Sequence, residues 1–239
     1  LSRQLALPFA PAAGYAEADF CPAPSNALAR EWLARPEGWT NGRLILWGAP
    51  GCGKTHLLRI WAASRGAPVY DGGGLRGLVP APPGPVAVDD ADIVEDPRAL
   101  LHLINRIAEA GAQMLLTARH PPARQSHRLA DLASRLRAST AVEIRPAEDE
   151  LLDRLLSRLA AERQLALSLR VRNFLLTRLA RTPAMLREAV ARLDRASLDR
   201  GVKITTVLAA DILRDLFDSD DAEGEVLPNR HATADDGLI

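Results

Sequence analysis

The chain has 239 residues, long enough for one large core or for a core domain with a small companion. Its 30 basic and 30 acidic residues cancel, so no global field draws it to nucleic acid or to an anionic membrane, and DNA contact would have to be local or indirect. Two cysteines, Cys21 and Cys52, are too few for a disulfide framework; no apolar run reaches the roughly 18 residues that span a bilayer, and no signal peptide opens the chain, so a cytoplasmic setting is expected.

Residues 1–24 are rich in Ala and Pro and read as an extended arm, in which Gln4-Leu5-Ala6-Leu7-Pro8-Phe9 presents apolar side chains that ask for a partner. A helix is expected from about Ser25, with Ser25 or Asn26 as its cap and Leu28, Trp32 and Leu33 near one face. Five short apolar runs then read as strands: 44–47, 67–70, 85–88, 114–116 and 141–144. The clearest helix between them has Asp96 as cap, Pro97 at its first position, Leu100, Leu101, Ile104 and Ile107 as a core stripe, and Gly111 as its stop. Strands alternating with helices predict an α/β domain over 25–146, a five-stranded parallel sheet covered on both faces.

After Pro146 the pattern changes. Leu151, Leu152, Leu155, Leu156 and Leu159 share one helical face, and three further helices carry start signals at Ser168, at Thr182 before Pro183, and at Thr205. Only 202–204 suggests a strand. Residues 147–217 therefore read as a small all-helical domain. The acidic stretch 218–239, poor in large apolar residues, reads as a disordered tail.

Gly48-Ala49-Pro50-Gly51-Cys52-Gly53-Lys54-Thr55 matches the G-x-x-x-x-G-K-[ST] phosphate loop and lies between a strand pattern and a helix pattern. Its glycines let the backbone curl with N–H groups pointing inward, Lys54 reaches phosphate, and Thr55 can ligate Mg²⁺. Gly48, Pro50, Gly51, Cys52, Gly53, Lys54, Thr55 and His56 are thus the candidate contacts to ADP or ATP, with Cys52 read as a tolerated small residue. Val86-Ala87-Val88-Asp89-Asp90 supplies the acidic strand end such a loop needs: Asp89 to hold Mg²⁺ through water, Asp90 to orient an attacking water. Thr117 and Arg119 close the fourth strand, where a polar group would stand beside the terminal phosphate. Arg135 ends a short amphipathic helix and can project toward a neighbouring molecule.

The arrangement resembles the AAA+ ATPases of the DnaA replication-initiator group, and within it the regulatory Hda branch. The resemblance rests on Pro24-Ser25-Asn26, Gly48 to Leu58, Leu115-Leu116-Thr117-Ala118-Arg119-His120-Pro121-Pro122, Asp131-Leu132-Ala133-Ser134-Arg135-Leu136 and Leu193-Asp194-Arg195-Ala196-Ser197. It implies an AAA+ P-loop core followed by a helical lid, with Arg135 offered in trans to the initiator's nucleotide. The arm motif resembles the peptide by which replication proteins dock on the bacterial sliding clamp, with Gln4 in a polar pocket and Leu5, Leu7, Pro8 and Phe9 as its apolar remainder. The implied function is a regulator of replication initiation that docks on the clamp, touches DNA only through it, and stimulates ATP hydrolysis by DnaA; a homodimer is compatible with this. Two departures stand out: Ala184 occupies the position at which the family places a lid arginine on the nucleotide, with Arg181 and Arg187 three residues to either side, and Arg119 stands where the initiator has an acid. Both weaken the case for efficient hydrolysis at the chain's own site.

Two other classes share the phosphate loop. A helicase loader of the DnaC type, acting on single-stranded DNA, would leave the clamp-like peptide without a purpose. A small-molecule P-loop kinase would leave the helical lid and the Arg135 segment without one.

Overall fold

The computed structural model describes residues 15, 17–80, 82–125 and 128–218; the arm motif at 4–9 and the tail from 219 onward lie outside them. Five strands form one parallel sheet: β1 (Arg43–Trp47), β2 (Val69–Asp71), β3 (Val86–Asp89), β4 (Met114–Ala118) and β5 (Thr140–Glu143), in the spatial order β2-β3-β4-β1-β5. Each expected run is found, displaced by a residue or two at its ends, where strand pairing rather than apolarity sets the limit. Each neighbouring pair runs parallel, with Leu46 opposite Thr117 and Val88 opposite Leu116.

The two-residue period of a strand divides the core into two layers. Ile45, Val86, Val88, Met114, Leu116 and Ala118 face one way and pack against Leu100, Leu103, Ile104 and Ile107 of α3 (Pro97–Glu109) and Leu132 and Leu136 of α4 (Ala130–Arg137). Leu44, Leu46, Ala87, Leu115 and Val142 face the other way and pack against Ala29 of α1 (Pro24–Ala34) and Leu57, Leu58 and Trp61 of α2 (Lys54–Arg65). In α3 the expected cap holds, Asp96 accepting from the Arg98 and Ala99 amides at 3.1 and 3.4 Å, but Leu103 rather than Leu101 joins Leu100, Ile104 and Ile107 in the buried stripe, Leu101 being only half-buried.

The first helix differs from expectation at its start. It begins at Pro24, and Ser25 and Asn26 are buried inside its first turn rather than standing at the cap position, which Ala23 takes. Asn26 reaches back instead: its Oδ1 accepts from the Ala23 amide at 3.1 Å and its Nδ2 donates to the Cys21 carbonyl at 3.1 Å. Proline at a first helical position needs no amide partner, which moves the boundary upstream.

The chain divides into two compact units, Leu1–Leu155 and Leu156–Ile239, the division falling within α5 (Asp149–Glu162). The second unit holds the end of α5, α6 (Leu169–Arg178), α7 (Pro183–Arg200), α8 (Thr206–Ile212) and α9 (Arg214–Asp218). Ser168, Thr182 and Thr205 cap α6, α7 and α8 as expected, accepting from Val171, Met185 and Leu208 at 3.2–3.3 Å. Residues 202–204 are not a strand: they join the left-handed Gly201 that ends α7 to the Thr205 cap, with Ile204 buried and, among the described residues, no strand paired with them.

Gly72, just after β2, abuts the turn beyond β3: a Cβ there would stand 2.1 Å from the Asp90 carbonyl oxygen. Gly72→Ala should lower stability by about 1–3 kcal/mol in thermal or denaturant unfolding, the usual cost of overpacking a core. Gly84→Ala, where no atom lies within 4 Å of the added carbon, should be close to neutral.

Candidate functional site

Everything chemical gathers at the carboxyl ends of β1, β3 and β4, where open parallel sheets form their ligand crevices. β1 runs into the glycine loop. Gly51 and Gly53 take φ of 76° and 105°, a region that penalises side chains, and at Gly48 a Cβ would meet the Ile144 carbonyl oxygen at 2.4 Å. Gly53 then starts α2, whose first amides, at Lys54 and Thr55, have no acceptor within the helix and stand at its positive end.

Lys54 is only 7% exposed, and its Nζ donates to the Gly48 and Ala49 carbonyls at 2.7 and 2.9 Å. The ammonium thus sits inside the curl of the loop, beside the free amides, which fits a phosphate group. Pro50 is exposed on the loop's outer side. The Cys52 thiol lies 3.9 Å from Lys54 Nζ, yet burial, outweighing the nearby ammonium, raises its pKa, as befits an inert small residue.

Strand parity brings the acidic element to the loop. Asp89 and Thr117 have the parity of Ala87 and Leu115 and so lie on the α2 side of the sheet. Asp89 Oδ1 accepts from Thr55 Oγ1 at 3.1 Å and from Thr117 Oγ1 at 2.6 Å. Thr117, fully buried, also accepts from the Asp90 amide at 2.8 Å. The Thr55 hydroxyl and Asp89 carboxylate are a hard-oxygen pair suited to Mg²⁺, which supplies charge neutralisation on phosphate oxygens when bound.

Asp90 turns away from the strand in a left-handed conformation, φ 49° and ψ 52°. Burial, then the charges of Asp89 and Asp92, raise its pKa, with Lys54 and Arg119 pulling the other way. Arg119 is exposed, its amide donating to Asp92 Oδ2 at 2.7 Å.

Arg135 is not part of this constellation. It is exposed near the end of α4, beside Arg43 at the start of β1, and the four residue steps of β1 from Arg43 to Trp47 cover about 13 Å of strand. Ala184, Arg181 and Arg187 belong to the second unit, all three exposed.

Sequence reasoning missed an aromatic layer over the start of α2. His56, buried, meets the rings of Tyr15 and Phe20 edge-on at 5.5 and 5.3 Å, and the Arg59 guanidinium lies 4.7 Å over Tyr15. Tyr15 and Phe20, set in an Ala- and Pro-rich segment, were the available signal.

The raised Asp90 pKa gives a signed prediction. A folded state that disfavours this carboxylate loses stability at every pH above the raised pKa and recovers it below the unfolded value of about 3.9. Asp90→Asn, which suits a left-handed residue as well as Asp does, should raise the melting temperature at neutral pH, the gain fading as pH falls below about 4. Thermal unfolding at the two pH values checks it; a gain of equal size at both would mean that charge is not the cause.

The family model described as "Hda, lid domain" matches residues 149–213. An uncharacterized protein of Haemophilus influenzae is 33% identical over 186 residues, which cover 70% of this chain and 80% of that one. Among solved structures, domain III of the Thermotoga maritima replication initiation protein DnaA superposes with a TM-score of 0.69 at 19% identity, covering 85% of this chain and 97% of that chain. AMPPCP-bound DnaA from Aquifex aeolicus gives 0.60 at 18% identity, over 79% and 67% of the two chains. Thermotoga maritima RuvB gives 0.62 at 16% identity, over 80% and 68%. At these identities the solved structures speak for the fold: an AAA+ core of five parallel strands followed by a mostly helical lid. With its lid match and its sequence relative added, the chain belongs to the Hda-like group of DnaA-related AAA+ proteins.

Proposed function

We propose that the chain is a nucleotide-binding regulator of replication initiation, docked on the sliding clamp through its arm and acting on the ATP bound to DnaA. ADP or ATP lies with its phosphates in the curl of Gly48, Gly51 and Gly53, against Lys54 and the first amides of α2. Mg²⁺ is held by Thr55 and, through water, by Asp89. Thr117 fixes the Asp89 carboxylate, and Asp90 stands where a water would be oriented. The AMPPCP-bound DnaA relative supports nucleotide at this site.

The observation that carries the regulatory reading is the separation of Arg135 from the phosphate loop. A guanidinium at the opposite edge of its own sheet, exposed and at a helix end, serves a neighbouring molecule's phosphate rather than its own. Such a group supplied in trans accelerates phosphoryl transfer by roughly 10³–10⁵ where it is used. Ala184 stands at the sequence position where the family has its lid arginine, so intrinsic hydrolysis is slow. The partner is DnaA, to which the core is similar in fold. The arm residues Gln4, Leu5, Leu7, Pro8 and Phe9 make the clamp contact, and DNA is met through the clamp.

Lys54→Ala should weaken ADP and ATP binding at least tenfold by calorimetry, since the loop loses the cation at its centre. Unchanged affinity would remove the nucleotide reading.

Phosphate release by ATP-loaded DnaA, with clamp-loaded DNA, tests the rest. Gln4 and Phe9 changed together to Ala should abolish clamp binding and stimulation while leaving the melting temperature of the core unaltered. Arg135→Ala should keep clamp and nucleotide binding but lose stimulation, and Arg135→Lys should rescue it poorly, because a point charge lacks the planar fork of donors. An Arg135→Ala protein as stimulatory as the wild type would sink the trans-arginine reading.

A further inference from the structure

Arg43 opens β1 at the edge of the sheet remote from the phosphate loop, and it is 5% exposed. A buried guanidinium ordinarily has a carboxylate partner. Here its acceptors are neutral: Nε donates to Ser139 Oγ at 3.0 Å, Nη1 to the Asn41 carbonyl at 3.5 Å and Nη2 to the Arg135 carbonyl at 3.4 Å. The Ser139 hydroxyl in turn donates to the Arg135 carbonyl at 2.9 Å. That carbonyl lies in the last turn of α4, where oxygens lack intrahelical donors and the helix dipole is negative. The end of the helix therefore stands in for the missing carboxylate.

The same place holds a cavity of about 470 Å³ lined by Asn41, Arg43, Ser134 and Arg135 and by the end of α3, with no acidic side chain in its wall. Its volume gives the long Arg135 side chain room to fold back toward the sheet. Arg43 and Arg135 share the wall of this cavity, and burial, and after it the charge of Arg135, push the Arg43 pKa down.

We propose that Arg43 is a positioning residue for Arg135. It clamps the Arg135 backbone through Ser139, and by like-charge repulsion it closes the inward orientations of the Arg135 side chain that the cavity admits. The guanidinium is thereby held outward, toward a partner. The functional consequence rests on the reading of Arg135 as the trans arginine; the clamp on the helix end does not.

The test compares wild type, Arg43→Met, Arg43→Lys, Arg135→Ala and the Arg43→Met/Arg135→Ala double variant. Two measurements are made: stimulation of DnaA ATP hydrolysis on clamp-loaded DNA, titrated to saturation, and amide hydrogen exchange at 136–140 in the isolated protein. Arg43→Met should lower the maximal stimulated rate on the order of tenfold, the scale of a small misplacement of a reacting group, without changing the half-saturating concentration. Arg43→Lys should recover part of that rate, and the double variant should lose no more than Arg135→Ala alone. Exchange at the helix end should quicken in Arg43→Met and not in Arg135→Ala. Wild-type stimulation by Arg43→Met, or additive losses in the double variant, would overturn the functional claim. Unchanged exchange in Arg43→Met would overturn the clamp itself. Failure of the trans-arginine reading shows up separately, as full stimulation by Arg135→Ala.

Discussion

Asp89 is where three separate elements meet. One of its oxygens takes hydroxyl hydrogens from Thr55, at the head of α2, and from Thr117, at the end of β4, while its own backbone ends β3. Hydrogen bonds to an ionised acceptor are worth about 1.5–3 kcal/mol each, more than neutral ones. Two of them on one half-buried carboxylate tie the phosphate-loop helix to two strands that are far apart in sequence. The rest of the site follows from this knot: Lys54 is held within the loop it serves, and Thr117 passes the constraint to the Asp90 amide. Asp90 in turn closes against Gly72, which leaves no room for a side chain.

The sheet's two edges do different work. The carboxyl edge collects the groups suited to phosphate or Mg²⁺ at the chain's own loop: Lys54, Thr55, Asp89 and Thr117. The amino edge collects cations: Arg43, buried and bonded to neutral oxygens, and Arg135, exposed beside it. Charges at the carbonyl end of a helix are favourable when positive, so α4 tolerates both guanidinium groups although they repel each other. That repulsion has a direction, because only one of the two can reach solvent. A protein that used Arg135 on its own nucleotide would have to bridge the whole length of β1.

Much of this is legible in the sequence alone. The phosphate loop, the acidic strand end, the caps of α3, α6, α7 and α8 and the change from strands to helices after Pro146 are local patterns, read within a few residues of themselves. The first helix was misread at its start because Ser25 and Asn26 are good caps in isolation, whereas Pro24 lets the helix begin earlier and tertiary packing buries both. The strand-like 202–204 stretch stays outside the sheet, as an all-helical domain requires, because β-branched residues form a strand only where another strand offers an edge.

What the sequence determined by itself is therefore the kind of chemistry: glycines, a lysine and a threonine at a spacing that needs no tertiary context to curl around phosphate. What only the tertiary structure decided is which distant groups share a surface. Strand order inserts β4 between β1 and β3, and strand parity turns Thr117 and Asp89 to the same face, so a hydroxyl 28 residues from its carboxylate becomes its hydrogen-bond partner. The same holds for Arg43 and Arg135, 92 residues apart, whose meeting depends on β1 starting and α4 ending at one edge of the sheet. Periodicity along a chain reports the face a residue takes, but the neighbour it finds there is set by strand order, which no local pattern encodes.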